Sequence, residues 1–124
     1  MTKVCFSTRD ELQMIDLDQI AAIQANGNYT KVVYMTGREI TLTSGVSKVA
    51  QYIAYSVQHE KSPHFVKLGR SIIINQNYLL RIDLQKQVLV LSNGGKAELR
   101  VRIPKNVLRS YKEMIEKQYK SNPS

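Results

Sequence analysis

A basic, glycine-containing segment precedes one of the most apolar runs of the chain, in the stretch HFVKLGRSIIINQNYLLRID. Lys67 and Arg70 flank Gly69, and three isoleucines follow Ser71 directly. An arginine guanidinium can donate two parallel hydrogen bonds to guanine in the major groove, whereas a lysine ammonium mostly neutralises phosphate. An arginine held at the start of a buried strand would lose little rotamer entropy on binding. The pattern therefore predicts a nucleic-acid contact, and the alternative is a surface salt bridge at a strand end.

The positive charge is concentrated in the second half of the chain. The total is +8 with an isoelectric point near 9.7. Residues 1–63 carry six Lys/Arg and six Asp/Glu, whereas residues 64–124 carry twelve and four. Arg100 and Arg102 stand on either side of Val101, and Lys105 follows three residues later. This asymmetry predicts a face that binds a polyanion, although a solubilising surface would show the same totals.

Residues that could support catalysis or metal binding do not form a recognisable site. His59 and His64 lie five apart in a proline-containing loop, and Cys5 is remote from both in sequence. This spacing is not that of a zinc site, and nothing local pairs Cys5 with a base. The glycines form neither a dinucleotide-binding nor a Walker motif. We expect no enzyme activity, no cofactor and no metal.

The length and the apolar pattern indicate one domain of 124 residues in a reducing compartment. Hydrophobic residues make up 43% of the chain, but no run approaches the roughly 18 residues of a membrane span. The N-terminal segment lacks the apolar stretch of a signal peptide, and the single cysteine excludes an internal disulfide. The expected location is the cytoplasm, without membrane insertion.

Most of the chain reads as short strands separated by turns. Asn26 and Gly27 separate two runs rich in aromatic and β-branched residues, which is the strongest short-range indication of a hairpin. Thr36 and Gly37 form a second break, and residues 93–95 a third. The segments predicted as strands are DQIAAIQA, YTKVVYM, EITLT, SIIIN, YLLRID and the two halves of KQVLVLSNGGKAELRVRI.

Two segments have helical periodicity. In SGVSKVAQYIAYSVQ, apolar residues from Val46 to Val57 recur at three- and four-residue spacing, with Ser44 as the candidate N-cap. In PKNVLRSYKEMIEKQYK, Pro104 stands near the start of a similar apolar stripe. The chain is thus predicted to be a mostly β domain with short helices.

The stretch FVKLGRSIIINQNYLLRID resembles the signature of the LytTR DNA-binding domain. That signature is a Phe-hydrophobic pair, a His-Arg-Ser triplet, a hydrophobic run and an Asn, and it is matched by Phe65, Val66, Arg70, Ser71 and Asn75. The flanking hairpins and helices also occupy the places that the family gives them. The resemblance covers about residues 15–116 of a single domain 1–124, with residues 117–124 as a frayed tail.

The resemblance implies an elongated, antiparallel β fold of about ten strands with short helices. It implies a sequence-specific transcription regulator of double-stranded DNA, such as a response regulator output domain, with loops inserted into successive major grooves. Three segments would carry contacts: Asn26–Thr30 through Asn28 and Tyr29, Lys67–Arg70, and Arg102–Lys105. Asn75 would have a structural role, closing the turn NQN. The same resemblance is compatible with a homodimer on a direct-repeat site and with a regulatory protein partner.

Two departures from the family pattern keep alternatives open. The His that usually precedes Arg-Ser is Gly69 here, and the usual late arginine position is taken to be Ile103, so that Arg102 or Lys105 would supply the third contact. The main alternative is a LytTR-like protein-interaction module that has lost specific DNA reading. A general RNA-binding β domain is a further alternative, although the exposed aromatics of such domains are missing. The sequence leaves open whether the chain is a stand-alone regulator or a fragment.

Overall fold

The computed structural model describes residues 3–56 and 64–119, which form ten strands and two α-helices. The strands are β1 Lys3–Ser7, β2 Leu12–Asp16, β3 Ile20–Asn26, β4 Tyr29–Tyr34, β5 Glu39–Leu42, β6 Phe65–Leu68, β7 Ile72–Asn75, β8 Leu79–Asp83, β9 Val88–Ser92 and β10 Glu98–Arg102. The helices are α1 Val46–Ser56 and α2 Lys105–Gln118. The mostly β fold class, with about ten strands and short helices, is confirmed, whereas β1, β2 and β6 are not among the segments that the sequence pattern assigned to strands.

All strand pairs are antiparallel, and the strands form three sheets among the residues that the structure describes. The central sheet has the order β5-β4-β3-β7-β6. A three-stranded sheet has the order β10-β9-β8, and β1 pairs with β2. Strands β3 and β7 are therefore neighbours, although almost fifty residues separate them in the chain.

The central sheet is a middle layer with an apolar core on each face. On one face, Ile72 and Ile74 belong to a cluster that includes residues of β9, β10 and α2. On the other face, Ile73 packs in a cluster with residues of β2 and α1. Successive strand residues point to opposite faces, so a strand covered on both sides is apolar at every position. This explains why the isoleucine run is continuous rather than alternating.

Asn75 is buried at the end of β7 and has the structural role expected of it. Its side-chain Oδ1 accepts from the backbone N–H of Asn77 at 3.1 Å, which closes the turn. Its Nδ2 also donates to the carbonyl oxygen of Ile20 at 3.0 Å, a contact across 55 residues that the sequence did not indicate. Asn75 thus fixes the end of β7 against the start of β3.

Helix α1 begins one position later than the sequence suggested. The first intrahelical bond runs from the Val49 N–H to the Gly45 carbonyl, so Gly45 rather than Ser44 occupies the N-cap position. The carbonyl of Ser44 instead accepts the Thr30 hydroxyl at 2.7 Å, which ties the helix entrance to β4. The expected helix residues Val57 and Gln58, and His59, lie outside the described residues.

Helix α2 continues through residue 118, within the segment PKNVLRSYKEMIEKQYK whose apolar spacing predicted a helix. The reason is a polar network: the Tyr111 hydroxyl donates to Gln76 Oε1 at 2.8 Å, and Gln76 Nε2 donates to Gln118 Oε1 at 3.0 Å. Burial raises the pKa of the Tyr111 phenol, with a smaller contribution from nearby Tyr119. The neutral phenol therefore holds α2 against the turn that follows β7.

Candidate nucleic-acid interface

The first predicted contact segment is the tight turn between β3 and β4. Asn26 pairs with Tyr29, which leaves Gly27 and Asn28 as the two residues of the turn. Gly27 has a φ of 64°, a backbone conformation that favours glycine. Asn28 is exposed, and 50% of the Tyr29 surface is accessible to solvent. Both candidate side chains are therefore free to contact a partner.

The second segment is the turn between β6 and β7, which carries Arg70. Leu68 pairs with Ile72, and both are buried, so residues 69–71 form a short turn between fixed ends. Gly69 has a φ of 75°, and a Cβ placed on it would meet nothing within 4 Å. The glycine is therefore explained by backbone conformation rather than by crowding. Arg70 is exposed on a backbone that the core holds in place.

A hydrogen bond between neighbouring hairpins brings these two turns to the same end of the central sheet. The Ala25 N–H donates to the Ser71 carbonyl at 2.7 Å, one position beyond the Gln24–Ile72 pair. Because β3 and β7 are adjacent, the turns that follow β3 and precede β7 both extend from this end. Asn28, Tyr29 and Arg70 therefore share one edge of the molecule.

The third segment is the passage from β10 into α2. Arg102 is the last residue of β10, Pro104 is the helix N-cap, and Lys105 is the first helical residue. Arg102 and Lys105 are exposed, whereas Ile103 between them is almost fully buried in the core. Ile103 is therefore a packing residue, and the exposed cations of this segment lie on either side of it.

The structure brings Arg102 to Arg70 but sets Lys67 apart from them. Arg70 and Arg102 line one concavity of about 270 Å³, together with Gly69 and Ser71. Lys67 is exposed on β6 and pairs with Ile73, so it points to the α1 side of the sheet. Sequence reasoning missed Gln24, which lines the same concavity because of the register between β3 and β7. No local pattern could have indicated it.

The predicted contact cations have no acidic partner among residues 3–56 and 64–119. The ion pairs within this part of the chain are Arg9–Asp10, Lys31–Glu39 and Lys112–Glu116. Lys67, Arg70, Arg102 and Lys105 take part in none of them. A structural salt bridge at the strand end, the alternative role for Arg70, is therefore not observed there. The positive charge at this end of the sheet is available to a ligand.

Comparison with known proteins identifies the family. The family model described as LytTr DNA-binding domain matches residues 10–116. The chain belongs to the LytTR DNA-binding domain family. The match covers most of this LytTR domain, including all three contact segments, the whole of α1, and α2 as far as residue 116. A comparison with curated proteins finds no significant match.

A solved structure agrees with the fold of this LytTR domain. It is the LytTR DNA-binding domain of a protein described as a methyl-accepting/DNA response regulator from Bacillus cereus. The two are 19% identical in sequence with a TM-score of 0.52, and the alignment covers 94% of this chain and 95% of the other. At this identity the likeness concerns the fold. Within its described residues, the LytTR domain has no helix with the length and apolarity needed to cross a bilayer.

Proposed function

We propose that this LytTR domain is a sequence-specific reader of double-stranded DNA within a transcription regulator that acts in the cytoplasm. The observation that carries the proposal is the convergence of three exposed turns, with unpaired cations, at one end of the central sheet. Arg70 is assigned to base reading, because its backbone is fixed and its guanidinium is free. Asn28 and Tyr29 add a polar and an aromatic contact, and the remaining cations neutralise phosphate.

The spacing of the turns divides their roles along the duplex. The β3–β4 and β6–β7 turns are two strand spacings apart, about 10 Å. Successive major grooves on one side of B-DNA are separated by roughly 34 Å. These two turns therefore contact adjacent features of one site, with Arg102 beside Arg70 at the same concavity. Insertion of loops into successive major grooves remains a prediction. A homodimer on a direct-repeat site and a regulatory protein partner remain predictions.

Titration of duplex DNA at several salt concentrations tests the proposal. If the three candidate cations other than Arg70 each neutralise one phosphate, the logarithm of the binding constant should fall with a slope of about −2.7 against the logarithm of salt concentration. Affinity should then fall about 40-fold between 50 and 200 mM salt. A random duplex should show a similar slope, since phosphate carries no sequence information. Affinity that does not change over this range would contradict a phosphate-contacting face and favour the interaction-module alternative.

A further inference from the structure

The concavity between the β6–β7 turn and the start of α2 has the chemistry of an anion site. Its polar lining includes Gln24, Arg70, Ser71 and Arg102, and none of the described residues that line it carries a carboxylate side chain. Two arginines that line one concavity can both direct their guanidinium groups at a single anion there, and that attraction offsets their mutual repulsion. We infer that this concavity seats one backbone phosphate of bound DNA, with Arg102 as its principal cation.

Two neutral polar side chains in the concavity have unused hydrogen-bonding capacity. The Gln24 side chain and the Ser71 hydroxyl form no hydrogen bond with any residue that the structure describes, although the Ser71 carbonyl accepts the Ala25 N–H. Gln24 is partly buried on β3, so the strand register directs its amide toward the concavity. An amide N–H and a hydroxyl can both donate to phosphate oxygens without adding charge. They would orient the phosphate that the arginines attract.

The N-terminus of α2 contributes in the same direction. Its N-cap is Pro104, which makes no side-chain capping bond, and both Pro104 and Val107 line the concavity. The first intrahelical bond observed here is from the Leu108 N–H to the Pro104 carbonyl. The preceding helical N–H groups therefore have no intrahelical acceptor, and the helix dipole makes this end favourable for an anion. This supports a site already defined by the two arginines.

The remaining walls favour phosphate over a nucleobase. Leu68, Ile72 and Val107 are apolar and limit water around the guanidinium groups, which strengthens their attraction to an anion. None of the described residues that line the concavity is aromatic, so a base has no ring among them on which to stack. A phosphate held beside Arg70 would set the register in which that arginine meets the base edges. The inference rests on the proposed DNA binding and specifies how the duplex is positioned.

The test compares Arg102→Gln with Arg100→Gln in the full chain. Both arginines are exposed on β10 two residues apart, and both substitutions remove one positive charge, but only Arg102 lines the concavity. Each variant is titrated with a duplex selected from a random library and with a random duplex, over a range of salt. Arg102→Gln should reduce the salt slope by about 0.9 and weaken both duplexes roughly tenfold at 0.1 M salt. Arg100→Gln should change both quantities by less than half as much.

The outcomes separate this inference from the proposed function. If the wild-type chain binds DNA and Arg100→Gln and Arg102→Gln lose equal affinity, the effect of charge is diffuse. That result would overturn the phosphate site in the concavity but not the proposed function. A loss confined to the selected duplex would make Arg102 a base reader and would also overturn the phosphate site. Failure of the wild-type chain to bind any duplex would overturn the proposed function together with this inference.

Thermal melts of both variants confirm that the fold is intact, and a methylphosphonate scan of the selected duplex gives a second measurement. When the methylphosphonate replaces the phosphate that Arg102 contacts, Arg102→Gln should cause no further loss of affinity.

Discussion

Replacing Arg70 with alanine is expected to weaken binding to a selected duplex about ten- to a hundredfold. A well-placed contact between arginine and a base is worth roughly 1–3 kcal/mol of discrimination against the wrong base. Arg70 leaves a turn whose flanking residues Leu68 and Ile72 are buried, so its contribution comes from the side chain and not from a flexible loop. Binding to a random duplex should stay within a few-fold of wild type. Titrations of both duplexes measure the two effects.

Arg70→Lys provides the matched control, because it keeps the charge but removes the planar fork of donors. It should retain affinity for a random duplex and lose most of the preference for the selected one. Neither substitution should change the free energy of unfolding by more than about 0.5 kcal/mol, since the side chain is exposed. A large stability loss in Arg70→Ala would make this residue structural. Full binding of the selected duplex by that variant would favour the interaction-module alternative.

Ile73→Ala is expected to lower the free energy of unfolding by about 2–5 kcal/mol. Ile73 is 5% exposed on β7, which lies between β3 and β6, and its side chain packs in the cluster with β2 and α1. Removing its outer carbons leaves a cavity in a layer that is covered on both faces, where neighbouring strands cannot collapse freely. Urea denaturation measures the change, with the midpoint falling at an unchanged slope if unfolding remains two-state.

Two control substitutions make this stability prediction specific. Ile73→Val removes one methylene and should cost about 0.5–1.5 kcal/mol. Leu80→Ala removes a side chain that is 57% exposed, so its effect should stay within about 0.5 kcal/mol. A cost below 1 kcal/mol for Ile73→Ala, or similar costs for Ile73→Ala and Leu80→Ala, would contradict the placement of the central sheet as a buried middle layer.

Local patterns in the sequence were sufficient to predict most of the elements. The Asn26–Gly27 pair and residues 93–95 mark hairpins that the structure contains, because turn conformation depends on adjacent residues. The spacing of apolar residues located both helices, since one face of each must be buried. Asn75 could be assigned a structural role for the same reason: its bond to the Asn77 N–H is local.

The contacts that build the candidate site could not be predicted in the same way. The concavity requires β3 to lie beside β7 and β10 to pack near both, and these arrangements depend on residues that are distant in sequence. Gln24 therefore carried no indication of its position. The family pattern suggested that a DNA contact is lost at residue 103, where isoleucine replaces the usual arginine. The burial of Ile103 shows instead that this position packs in the core. The ends of the helices depended on hydrogen bonds across the fold, such as the one between Gln76 and Gln118.

The most direct test of the DNA-binding surface is a titration of the isotope-labelled domain with a selected duplex, followed by amide chemical shifts. We predict that the largest shifts occur in three segments, residues 26–29, 68–71 and 102–105, because these turns meet at one end of the central sheet. The shifts of residues 12–16 in β2 and of the exposed face of α1 should change little. Large shifts in β2 and α1, with the three turns unaffected, would contradict the assignment of this end of the sheet as the DNA-binding surface.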